Sequence, residues 1–204
     1  MLSNSEVKDV IQNALKNSMS YHEYITLVSD LIKEGKSTGH TQNDDMLNYS
    51  KLSESRMKRW DKTFKMSAND KEFLENQSKS ITFLVVSEGW CGDAAHAMPI
   101  LNKISEHATK IDLKIVLRDD NDELIQEFLT NGGKSIPKLI ALDDNQEVLF
   151  TWGPRPAEAT ALTNAYKEKH GELTPEFKED LQKWYNKDKG QGTVKDIIES
   201  LQAL

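Results

Sequence analysis

The stretch from Ile81 to Arg118 constrains the fold more than any other part of the chain. It opens on ITFLVVS, a β-branched apolar run of buried-strand length. CGDAAHAMPILNKISEHA follows with helical periodicity and with Pro99 inside it as an expected kink; DLKIVLR then reads as a second strand. A strand, a helix and a strand in succession predict a crossover unit. Its two strands must run parallel, because the helix carries the chain back along the sheet. Next comes the helical NDELIQEFLTN, ended by Gly132 and Gly133. IPKLIAL and QEVLFTW are two further strands, joined by DDNQ tightly enough for an antiparallel hairpin. PAEATALTNAYKEKH closes the unit as a helix. The order βαβ then ββα predicts an α/β protein with a mixed four-stranded sheet.

Both flanks read as helices. Val7, Val10, Ile11 and Leu15 share one face of a first segment. Ser20 and Glu23 have capping-box spacing before Tyr21, Tyr24, Val28 and Leu31, and Gly35 stops that helix. GKSTGHTQNDD is a polar loop. Asp44 or Asp45 is expected to cap a long helix whose apolar positions are Leu47, Leu52, Met57, Trp60 and Phe64. Beyond Gly171, TPEFKEDLQKWYNKDKG begins with proline at a favourable first position, and TVKDIIESLQAL ends the chain. The expected organisation is a helical N-terminal extension over residues 1–77, the sheet-containing domain over 78–170 and a C-terminal helical extension over 171–204.

Charge excludes one class of function. The chain carries a net −7, and no segment has the basic excess of a nucleic-acid binder. The one basic cluster, RMKRWDKTFK from Arg56 to Lys65, either holds an anion or an acidic partner or is a solvated helix face. No apolar run approaches the ~20 residues that span a bilayer. The start, MLSNSEVKDVIQ, has neither a basic region nor an apolar core of a secretory signal, so the expected compartment is the cytoplasm. A single cysteine, Cys91, excludes an internal disulfide. The five histidines show no ligand spacing, so no metal and no cofactor are expected.

Cys91 stands where the first strand hands over to its helix, within SEGWCGDAAHAMPIL. There GWCGDA resembles the active-site loop of the thioredoxin family, usually Trp-Cys-Gly-Pro-Cys. Pro99, eight residues on, matches that family's helix-kinking proline. SIPKLI resembles its second signature, an Ile-Pro bond that is cis and faces the active cysteine. TWGPRP supplies Gly153, the glycine that usually follows the last strand beside the site. NGGKSIPKLI, WGPRP, RMKRWDKT and WYNKDKGQ together are similar to a bacterial group that flanks the thioredoxin core with helices at both ends. The resemblance implies a thioredoxin fold over roughly residues 78–170.

Two departures bear on chemistry. Ala94 stands where thioredoxins have the resolving cysteine, and Val85 where they keep a buried carboxylate. Dithiol turnover within one molecule is therefore excluded, because resolving a mixed disulfide needs a second thiolate. At a helix start, unpaired amides and the macrodipole lower a thiol's pKa; the Asp93 carboxylate raises it. The expectation is an exposed, electropositive entrance and a modest net lowering. His96, about 140° around the helix from Cys91, is not placed to act as its base.

The resemblance implies substrate-positioning roles for Trp90, as an apolar lip, and for Gly92, Asp93, Ile136, Pro137 and Gly153. Lys134, Lys138, Arg118 and Arg155 either border the site, ready for the carboxylates of a small thiol, or are ordinary solvated charge. Three activities stay open. One is monothiol exchange through Cys91 with client protein thiols or disulfides and a low-molecular-weight thiol. Another is a redox-inactive peptide- or partner-binding module. The third is iron–sulfur carriage by paired monomers, from whose motif CGDA departs.

Overall fold

The computed structural model describes residues 3–204. Four helices come first among them: α1 (Asn4–Lys16), α2 (Tyr21–Lys33), α3 (Asp44–Thr63) and α4 (Ala68–Glu75). The sheet-containing part follows as β1 (Ile81–Ser87), α5 (Ala94–His107), β2 (Ile111–Leu117), α6 (Asp122–Glu127), β3 (Lys138–Leu142), β4 (Val148–Trp152) and α7 (Ala157–His170). The chain ends with α8 (Pro175–Asp188) and α9 (Gln191–Gln202).

The sheet is mixed, in the order β2-β1-β3-β4. β1 pairs parallel with β2 and antiparallel with β3, and β3 with β4 antiparallel. This is the pairing that the crossover and the hairpin require. Phe83 lies between Leu113 and Ala141, and Val85 between Ile115 and Leu139. β1 is therefore central and nearly all buried, which accounts for its continuous apolar run. The outer edge of β2 is not left open: Met19, in the link between α1 and α2, exchanges both backbone hydrogen bonds with Ile115. A covered edge cannot template pairing with another chain.

The N-terminal helices share the core of the sheet. Ile11, Tyr24, Val28 and Met57 belong to the same buried cluster as Phe83, Ile100 and Leu139, as do Val194, Ile197 and Leu201 of α9. Each such side chain contributes roughly 1.5–3 kcal/mol when fully buried. α8 differs. Leu181 and Tyr185 pack with Ala159 of α7 in a separate small cluster, edged by Phe177 and Trp184.

Local signals explain most helix starts. Capping boxes form at Ser3–Glu6 and Ser20–Glu23, and Thr174 caps α8 ahead of Pro175. Several sequence expectations are corrected. The cap of α3 is Asn43, with Asp44 and Asp45 in its first turn. Met57 and Trp60 are buried as expected, but Leu52 is 51% exposed, and Ser50 and Ser53 complete the buried face of α3. Small serines let the loop before α3 close down, and Ser37 and Ser50 hydrogen-bond at 2.7 Å. α4 carried too little periodicity to be read in advance, and α6 is a turn and a half. Among the described residues, no helix is long and apolar enough to cross a membrane.

Candidate functional site

Cys91 lies in the turn after β1, three residues before α5 begins. Its sulfur faces two backbone groups. The thiol donates to the Ile136 carbonyl at 3.3 Å and accepts from the Ala94 amide at 3.4 Å. Ile136 and Pro137, buried, stand directly ahead of β3 and are joined by a cis peptide bond. Gly153, at the end of β4, presses against them: a Cβ there would collide with the Pro137 carbonyl oxygen. With φ at +109° the position is also one that side-chain-bearing residues rarely adopt. Strand order thus brings the ends of β1, β3 and β4 to one sulfur.

The surroundings of that sulfur correct the sequence expectation. Cys91 is only 7% exposed. Burial, and then the Asp93 carboxylate, push its thiol up to about 12, against the amide hydrogen bonds and the charge of Arg155. The expected exposed, electropositive entrance is absent for two reasons. The amides of the turn do not offset the burial of the sulfur, the Ala94 amide standing 3.4 Å from it, and the nearby cation is already engaged: Arg155 Nη2 pairs with Asp93 Oδ2 at 2.7 Å.

Asp93 is the hub of the cover over Cys91. Besides Arg155, it accepts from the Tyr185 hydroxyl of α8 at 2.9 Å, and Arg56 of α3 adds a favourable charge. Burial pulls the carboxyl upward against these partners. The same environment holds the Tyr185 phenol far above its ordinary value, so it stays a donor. Gly92 faces Arg56, whose Nη1 a Cβ would meet at 3.5 Å.

His96 lies just beneath. The Trp60 indole N–H can only donate, and it points at His96 Nδ1 over 2.9 Å. That nitrogen is therefore the acceptor, and the proton sits on Nε2, facing Gln182 Oε1 of α8 at 2.7 Å. The ring stacks on Tyr185 with centroids 4.1 Å apart and planes 3° from parallel. Burial lowers the imidazole to about 4. His96 is thus a neutral structural clasp between α3, α5 and α8.

Trp90 turns the other way. Its half-buried ring lies under the Arg118 guanidinium at 4.9 Å, beside the loop between α2 and α3. That loop is tied down by Thr38 and by the His40 amide, which donates to Asp119 Oδ2 at 3.0 Å, and beside it lies Glu88, a fully buried carboxylate. Its Oε1 accepts from the Asp119 amide at 3.0 Å, and the Thr38 side chain beside it favours the charged form. Thr38 accepts from the Gly89 amide at 2.8 Å. Glu88 Oε2 has no partner among the described residues, and burial raises the carboxyl above its usual range. Gly39 fits because a Cβ would strike Asp119 Oδ2 at 2.6 Å.

Of the four cations weighed earlier, Arg155 is an integral part of the site. Arg118 holds Trp90 and Asp119, Lys134 pairs with Asp122, and Lys138 is buried against Thr130. Cys91, Asp93, Ile136, Pro137 and Gly153 come together; Trp90 and Gly92 face the two covers instead. Glu88, Thr38, Trp60 and Tyr185 were missed. Glu88 sits within the quoted cysteine stretch, where a carboxylate directly after a buried strand was the available signal. Tyr185 and Asp93 are 92 positions apart, and no local pattern links them.

The thioredoxin family's sequence model matches residues 39–169, well over half of the chain. The chain belongs to the thioredoxin family. The match begins ahead of α3, so this family member shares α3 and α4 as well as its sheet. No curated protein matches. A crystal structure of a protein of unknown function from Pseudomonas aeruginosa aligns over 100% of this chain and 99% of its own, with a TM-score of 0.65 and 13% identity. An HIV epitope-scaffold aligns over 86% of this chain and 98% of its own, with a TM-score of 0.59 and 14% identity. Both likenesses concern the fold alone. The first takes in the helices at both ends of this thioredoxin-family chain.

Proposed function

We propose that this chain is a monothiol thioredoxin-family protein that exchanges disulfides through Cys91 in an opened conformer, and that the conformer described above is its closed, unreactive state. The contact between Cys91 Sγ and the Ile136 carbonyl carries the reading. A disulfide entering beside Pro137 would take the place of that contact and meet the sulfur. The cover is also the part least tied to the main core. α8 has its own small cluster; it reaches the cysteine loop through the Tyr185 hydroxyl and α5 through Gln182 and the ring stacked on His96.

When α8 lifts, water reaches the thiol and its pKa falls toward the ordinary ~8.5. The Cys91 thiolate attacks a mixed disulfide between a client protein and a low-molecular-weight thiol. The client leaves as a thiolate, reduced, and the small thiol remains bonded to Cys91. A second small thiolate attacks that bond, leaves as the symmetric disulfide and restores Cys91. The reductant must come from outside, because position 94 is alanine. Cytoplasm, where thiols stay reduced, is the compartment that suits this cycle.

A second reading, a redox-inactive partner-binding module, is favoured by the burial of Cys91 and its pKa of about 12. Turnover of a glutathionylated test peptide, with and without Cys91→Ser, separates the two. The monothiol reading expects reduction that Cys91→Ser abolishes. Absence of turnover with every small thiol tried, together with Cys91 alkylation only under unfolding conditions, would leave the binding module.

A further inference from the structure

Only part of the basic segment at the end of α3 serves the cysteine site. Of its cations, Arg56 faces the Cys91 loop, while Arg59 and Lys65 open into a separate cavity of about 450 Å3 between α3 and the α8–α9 junction. The opposite wall is Asn186, Lys189 and Gln191. Three cations from two distant parts of the chain thus converge on one concavity, and none of the residues lining it is acidic. The chain as a whole carries −7, so this concentration runs against its average.

The cations are not neutralised from within. Among the described residues, none of the three forms an ion pair; the neighbouring Lys58 and Lys183 pair outward, with Glu54 and Asp180. Asp188, the carboxylate beside Lys189, faces another way: its Oδ1 accepts from the Gly192 amide at 2.9 Å, and it lines a different cavity with Glu158 and Glu199.

The cavity is also held in shape. The Arg59 guanidinium sits over the Trp60 ring at 4.7 Å and donates Nη2 to Asn186 Oδ1 at 2.7 Å, its one side-chain hydrogen bond among the described residues. The Gln191 side-chain amide donates to the Lys65 carbonyl at 3.2 Å and to the Lys189 carbonyl at 3.4 Å, tying the two walls together. Lys189 itself sits at φ +57°, a left-handed position where glycine or asparagine would be less strained.

We infer that this cavity binds a small phosphorylated molecule, whose phosphate groups sit among Arg59, Lys65 and Lys189. One guanidinium fork with two ammonium groups matches a compact, multiply charged anion better than a single carboxylate. The volume suits a metabolite-sized ligand.

Calorimetric titration of the full chain with inorganic pyrophosphate, at fixed ionic strength, tests this. Saturable binding at one site is expected. Lys65→Gln and Lys189→Asn should each weaken it about tenfold, as expected for one charge-assisted hydrogen bond. Lys178→Gln, on α8 but outside the cavity, should leave it unchanged. Both test residues are exposed, and asparagine tolerates the left-handed backbone, so thermal melts of the variants should match the parent. Any of three results would overturn the inference: no saturable binding, affinity unchanged from the parent in both cavity variants, or tighter binding of citrate than of pyrophosphate.

Discussion

The Tyr185 hydroxyl of α8 donates to Asp93, two residues past the cysteine, over 2.9 Å, and closes the C-terminal extension over the loop that holds Cys91. A helix 92 positions away in sequence is thereby tied to the cysteine loop, and in the proposed reading it controls the contact of Cys91 with water. Tyr185→Phe keeps the ring stacked on His96 and removes only this bond to a charged acceptor, at a cost of about 1.5–3 kcal/mol. Cys91 alkylation under native conditions should then accelerate about tenfold or more. Unchanged alkylation in a destabilised variant would show that α8 is not the cover.

The raised thiol predicts an alkaline weakness. Cys91 titrates near 9 in the unfolded chain and near 12 in the folded one. Above pH 9 the unfolded chain gives up this proton first, so stability falls as pH rises from 9 to 12, by up to about 4 kcal/mol. Chemical denaturation of the parent and of Cys91→Ser across that interval should show a steeper fall in the parent. Parallel curves would contradict the burial of the thiol.

His96 acts at the other end of the pH scale. Its folded value, about 4, lies below the ordinary 6.5, so the folded state favours the neutral ring. The stability it contributes is complete above 6.5 and is lost as pH falls from 6.5 to 4, about 3 kcal/mol in all. Protonation also removes the acceptor for the Trp60 N–H. His96→Gln should flatten this acid limb, and the Trp60 fluorescence change that accompanies it should disappear.

Gly153→Ala should cost at least about 2 kcal/mol and shift Pro137. The added methyl would meet the Pro137 carbonyl oxygen, and φ of +109° is unfavourable for alanine. Denaturant midpoints measure the loss. In the monothiol reading, turnover falls further than stability alone would require, because Pro137 carries the backbone beside the sulfur.

The sheet was legible in the sequence because its causes are local. A buried central strand must be continuously apolar, a crossover helix forces parallel pairing, and a four-residue link forces a hairpin. The motif likewise marked Cys91, Ile136, Pro137 and Gly153 as neighbours, since strand order alone carries the ends of β1, β3 and β4 to one place. Ser20 with Glu23, and Thr174 with Pro175, announced their helices for the same reason.

What the sequence could not convey was the state of the sulfur. A thiol's pKa depends on how much water and charge surround it, and those are set by residues far along the chain: the Ile136 carbonyl ahead of β3, Arg155 after β4, and Tyr185 of α8, which bonds Asp93. Read locally, a cysteine before a helix is exposed and acidified. Packed against both extensions, with Arg155 committed to Asp93, the same cysteine is buried and its proton held. Chain order determined where Cys91 would stand; only tertiary packing decided its solvation, because desolvation is a property of the whole enclosure and has no address in the sequence.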